Sequence, residues 1–178
     1  MAIDATEREK PGRLIIICGM PGSGKTTLAH AIISEIGAIR MSADDWMIHL
    51  GIDLWNVDIR AKLEALQWEQ AKQLLSLDNV VVIEWGTWSR HERDRLRLGA
   101  REIGGPVELR YLEVEPEVVW QRIGDRKAEQ TYGSRAVERA DIDEWFEVFQ
   151  PPDLDEMSLF DPPLAGEHPV ATTIHVPC

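Results

Sequence analysis

Leu14-Ile15-Ile16-Ile17-Cys18-Gly19-Met20-Pro21-Gly22-Ser23-Gly24-Lys25-Thr26-Thr27 is the stretch whose reading decides the fold. The run from Leu14 to Cys18 is apolar without alternation, which implies a strand buried on both faces, as in a parallel sheet covered by helices. From Thr26 to Ile36, Leu28, Ile32, Ile33 and Ile36 fall on one helical face, and Gly37 is a natural C-terminal stop. The order is therefore strand, glycine-rich loop, helix.

Gly19 to Thr26 matches G-x-x-x-x-G-K-[ST] in full. Glycines at these positions let the backbone curl until successive N–H groups point at phosphate oxygens, and the helix that follows adds the positive end of its dipole. Lys25 is placed to reach the β- and γ-phosphates, and the Thr26 hydroxyl to sit on Mg²⁺. Gly19, Pro21, Gly22, Ser23, Gly24, Lys25, Thr26 and Thr27 are thus the candidate nucleotide-binding residues, with ATP and Mg²⁺ as the expected cofactors. A chance glycine turn is the alternative reading, and the flanking strand and helix argue against it. No N-K-x-D base-reading motif occurs in the chain, which argues against a GTPase.

Outward from this core, Ala38 to Met41 reads as a short second strand. Ile59 to Leu77 reads as a helix carrying Ile59, Leu63, Leu66 and Leu74, and Val80 to Ile83 as a fully apolar strand. Ser89 with Glu92 forms a capping box for a helix that stops at Gly104-Gly105, and Val107 to Val114 is the next strand. Pro116 opens another helix; Ile142, Trp145, Phe146 and Phe149 mark the core face of a last one before Pro151-Pro152. Ala171 to Val176 can supply a final strand. These readings predict one domain over residues 13–178 after a flexible 1–12, with a lid near 122–137 and a proline-rich segment over 151–178. Strands alternating with helices imply an α/β fold with a parallel sheet covered on both sides.

The formal net charge of the 178 residues is −12, so their field repels polyanions and disfavours nucleic acid and anionic membrane as large-area partners. A small-molecule substrate is the expected partner. Two cysteines, Cys18 and Cys178, make neither a disulfide framework nor a zinc spacing. The opening residues are polar, with no apolar signal region and no run long enough to span a bilayer, so a reducing, cytoplasmic location is expected.

Phosphoryl transfer to a hydroxyl gains from a carboxylate that takes the acceptor's proton. Asp44 and Asp45 follow the short second strand, where parallel sheets bind ligands, which makes Asp44 the candidate base and Asp45 a candidate acceptor contact. The same Ser42-Ala-Asp-Asp also reads as a helix cap with first-turn acids. Glu84 closes the Val80–Ile83 strand and is a candidate for metal support; a strand end meeting solvent is the plainer reading. Arg122 and Arg126 lie four apart on one helix, with Lys127 and Arg135 beyond, and are candidates to close over the γ-phosphate; a solvated, salt-bridged face is the alternative. Arg90, Arg93, Arg95, Arg97 and Arg101 are interleaved with acids, as on an exposed helix, and only Arg90 and Arg93 are considered for substrate. Of seven tryptophans, Trp46, Trp85 and Trp88 follow strand ends and could wall an acceptor site. Trp145 and Trp68 read as core.

With these residues in hand, the chain resembles the small P-loop kinases grouped with zeta-toxin-like and polynucleotide-kinase-like proteins, often described only as AAA-type ATP-binding proteins. The resemblance covers nearly all of residues 13–150. Gly19 to Thr27 carries most of it, supported by Ser42-Ala-Asp-Asp-Trp, Glu84-Trp-Gly-Thr-Trp-Ser-Arg and Trp120-Gln-Arg-Ile-Gly-Asp-Arg. It implies a three-layer, five-stranded parallel P-loop domain of the nucleoside-monophosphate-kinase type and ATP-dependent phosphorylation of a hydroxyl. It also implies Asp44 at the position of the activating acid and Arg122 and Arg126 in the lid. Met47 stands where polynucleotide-kinase relatives carry an arginine, and Glu84 where many carry aspartate. The expected activity is therefore phosphorylation of a sugar, nucleoside or antibiotic; an ATP-dependent switch and a polynucleotide 5′-hydroxyl kinase are the alternatives.

Overall fold

The computed structural model describes residues 12–126 and 134–163 and the backbone of 173–175. Its elements in chain order are β1 (Arg13–Gly19), α1 (Lys25–Ile36), β2 (Ile39–Met41), α2 (Ala43–His49), α3 (Val57–Ser76), β3 (Val80–Ile83), α4 (Arg90–Glu102), β4 (Val107–Glu113), α5 (Pro116–Arg126), α6 (Arg139–Val148), α7 (Leu154–Met157) and β5 (Thr173–His175). The strands form one five-stranded sheet in the order β2-β3-β1-β4-β5, and every pairing is parallel.

β1 is central because its side chains have apolar partners on both sides. Leu14, Ile16 and Cys18 join one core with Trp68, Leu75, Leu96 and Ile142, whereas Ile15 and Ile17 join a second with Ala29 and Ile32 of α1. Residues 14 to 18 are completely buried, as the unbroken apolar run predicts. This three-layer α/β arrangement is the expected P-loop fold. The flexible lead-in expected over 1–12 lies outside the described residues except for Gly12, as do the middle of the expected lid and most of the segment beyond 163.

The sheet delivers three chain ends to one edge. β1, β2 and β3 run parallel, so the loops after Gly19, Met41 and Ile83 emerge side by side at their C-terminal ends, with Glu84 N–H donating to Met41 C=O at 3.2 Å. Among the described residues no helix is long and apolar enough to cross a membrane.

The segment after α6 does structural work that its proline content does not suggest. Arg93 of α4 is fully buried and donates two hydrogen bonds to Glu156 of α7, at 2.6 and 2.9 Å, and a third to Thr87 C=O at 3.0 Å. Gln150 N–H donates to Trp88 C=O at 2.9 Å, and Asp161 accepts from Val107 N–H at 2.6 Å. Arg93 is therefore a buried structural cation and not a substrate contact: its charge is neutralised by Glu156, which the sequence places 63 residues away.

Candidate active site

The glycine loop turns because its residues accept dihedrals that side chains resist. Gly24, which caps α1, sits at φ 103°, ψ 15° with no side-chain cap. Lys25 Nζ donates to the carbonyls of Gly19 and Met20, both at 3.0 Å, so the ammonium lies folded over the loop. Ser23 Oγ is buried without a hydrogen-bonding partner among the described residues, an orphaned hydroxyl inside the cradle. A curled loop, an ammonium and an unmatched hydroxyl fit a phosphate chain.

Thr26 and Glu84 meet although 58 residues separate them: Thr26 Oγ1 donates to Glu84 Oε1 at 3.1 Å. Arg40 of β2 grips the same carboxylate through Nε at 2.8 Å and Nη2 at 2.7 Å, and also pairs with Asp45. Donating these hydrogen bonds to Glu84 raises the Arg40 pKa further, so it stays charged. Among the described residues no group of three His, Cys, Asp or Glu could hold a metal ion. The Thr26–Glu84 oxygen pair still fits Mg²⁺, which needs only one or two protein oxygens beside phosphates and water.

Asp44 lies in the first turn of α2, where Ser42 accepts from Asp45 N–H at 3.4 Å as the N-cap. The helix-cap reading of this segment therefore holds, with Asp44 and Asp45 as its first-turn acids. The Asp44 carboxylate is half-exposed and pairs with Arg60 of α3, which also donates to Leu54 C=O at 2.8 Å.

Asp44 shares a cleft of about 380 Å³ with Lys25, Thr26 and Glu84. Trp55, Trp85, Trp88 and Trp145 line the same cleft, as do Arg60, Glu64 and Glu92. Trp145 stands edge-on to Trp88 with ring centroids 6.1 Å apart and tilted against Trp55 at 6.2 Å. Trp85 is buried, its indole N–H donating to Gln67 Oε1 at 2.7 Å.

Of the residues singled out from sequence, the structure brings the loop, Asp44, Glu84 and Trp88 together. Arg122 reaches the loop from α5, donating to Gly22 C=O at 3.3 Å. Arg126 ends α5, and its side chain and Lys127 lie outside the described residues. Three candidates fall elsewhere. Asp45 is held by Arg40. Trp46 does not line the cleft, because two residues of helix turn it about 200° from Asp44. Arg90 lies 3.7 Å from Asp94 and 4.0 Å from Asp153, on the outer face of α4. Trp145 is a cleft residue as well as a core one, and Arg135 pairs with Asp141 and covers Trp55 at 3.7 Å from the ring centroid.

The fold and cradle define a nucleotide-binding P-loop protein of the kinase-like type. The family model described as "AAA domain" matches residues 14–152, and the chain belongs to that family. No match was found among curated protein sequences. Among solved structures, the chain is similar to a gluconokinase from Sinorhizobium meliloti 1021 (22% identity, TM-score 0.56, 95% of this chain and 83% of that one). It is also similar to a sugar kinase from Janibacter sp. HTCC2649 (24%, 0.60, 82% of each chain). A chain of the Pnkp1/Rnl/Hen1 RNA repair complex matches at 21% and TM-score 0.68 over 89% of this chain, which spans only 49% of that one. At these identities the likeness is one of fold.

Proposed function

We propose that the protein is a kinase that transfers the γ-phosphoryl group of ATP to a hydroxyl of a small molecule. The observation that carries this reading is the placement of Asp44 in one cleft with Lys25, Thr26 and Glu84. A base belongs within reach of the hydroxyl that attacks the phosphate held by the loop.

In the proposed step the acceptor hydroxyl oxygen forms a bond to the γ-phosphorus, the bond to the β,γ-bridging oxygen breaks, and ADP leaves with that electron pair. Asp44 takes the hydroxyl proton, its carboxylate aimed by Arg60. The loop N–H groups and Lys25 hold the β- and γ-oxygens, and Arg122, already at Gly22, meets charge that develops on the transferred group. Mg²⁺, when bound, would neutralise charge on the phosphate chain. Thr26 and Glu84 would hold it there, with Arg40 fixing the Glu84 carboxylate. The tryptophan wall excludes water and receives the acceptor.

A γ-³²P transfer screen over sugars, nucleosides and aminoglycoside- and phenicol-type antibiotics tests the reading. The expected result is one labelled product class, reduced by about 10²–10³-fold in Lys25→Ala. ATP binding with no labelled product across the panel would instead indicate a nucleotide-dependent switch.

A further inference from the structure

We infer that the acceptor is a hydroxylated molecule carrying a protonated amine, seated between the Trp88–Trp145 wall and the carboxylate of Glu64. This rests on the kinase reading of the cleft and names the acceptor class for it.

The charges at the acceptor end are unbalanced. Asp44, Glu64 and Glu92 line it, and Arg60 is the one cation among the lining residues apart from Lys25, with Arg135 standing over Trp55. Arg60 is engaged by Asp44 and by Leu54 C=O. Glu92 Oε2 accepts from the Ser89 N–H in the capping box of α4. Glu64, on α3, has no hydrogen-bond donor among the described residues. Burial, with the Glu92 and Asp44 carboxylates nearby and against the pull of Arg60 and Arg95, pushes its carboxyl up to about 7. An ammonium group supplies what this carboxylate lacks: N–H donors and a positive charge in a partly dry site.

The aromatic wall points the same way by a separate route. Indole faces attract cations, most strongly where water is excluded. The wall already holds one from the protein itself, the Arg135 guanidinium 3.7 Å from the Trp55 ring centroid. An anionic acceptor would meet two unneutralised carboxylates, and a neutral one would leave Glu64 unmatched.

The test compares phosphoryl transfer to paired probes: glucosamine with N-acetylglucosamine, 2-deoxystreptamine with its di-N-acetyl derivative, and gluconate as the anionic control. Each amine is expected to exceed its acetylated twin in kcat/KM by at least about tenfold. For 2-deoxystreptamine, the advantage should grow as Glu64 ionises between about pH 6 and pH 8. Glu64→Gln, which removes an unpaired charge and so keeps the fold, should collapse the ratio towards one. Equal or faster transfer to an acetylated twin or to gluconate overturns the inference and leaves the kinase reading intact, as does a ratio unchanged in Glu64→Gln. Absence of transfer to every probe and to the wider antibiotic and nucleoside panel overturns both.

Discussion

Glu64 shows how a single side chain carries the tension of a binding cleft. Its folded carboxyl lies at about 7, above the ordinary 4.5, so folding favours its protonated form. The linked stability is fully present below about pH 4.5 and is lost as pH rises through about 7. Thermal melts should therefore show Glu64→Gln gaining on the parent protein between pH 5 and pH 8, with the two converging at acid pH; parallel curves would contradict the assignment. Nothing in the sequence marks this residue. Leu63 and Leu66 read as a helix face, but whether the carboxylate between them loses its water depends on how α3 and α4 pack. Arg40 and Arg60 were equally illegible, since their partners Glu84 and Asp44 are neighbours only after β2, β3, α2 and α3 have assembled.

At the scale of elements, local signals were read well and long-range ones poorly. The β1 run, the Gly19–Thr26 loop and the Ser89–Glu92 capping box are set by contiguous residues, and all three stand in the structure as the sequence implies. Arg93 was misread because interleaved charge normally marks a solvated helix, whereas here one arginine of the series turns inward to Glu156. That pair ties α7 to α4 and, through Thr87 C=O, to the loop carrying Trp85 and Trp88. Glu156→Ala leaves an uncompensated buried guanidinium and should cost about 3–5 kcal/mol in urea unfolding. A loss below about 1 kcal/mol would show that α7 is not anchored there. Trp145 exposes a similar limit: helical periodicity tells which face is apolar, not whether one end of it reaches a cleft.

For the whole molecule, a parallel sheet gathers three strand ends beside one cleft, lined by the glycine loop together with tryptophans and acids. Ligand that binds only the folded state stabilises it by mass action, by about 2.7 kcal/mol at a hundredfold excess over Kd. ATP with Mg²⁺ should therefore raise the melting temperature of the parent protein, with most of the rise lost in Lys25→Ala. The fold and the phosphate side were readable because they rest on a contiguous motif. The proposed acceptor side is only partly readable, because it is assembled from the segments around Asp44, Trp55, Trp88 and Trp145. The most direct test of the central claim is single-turnover transfer of the γ-phosphoryl group to the best acceptor, compared between the parent protein and Asp44→Asn. The transfer rate should fall by about 10²–10⁴-fold in Asp44→Asn with ATP affinity retained; transfer at the parental rate would show that Asp44 is not the base.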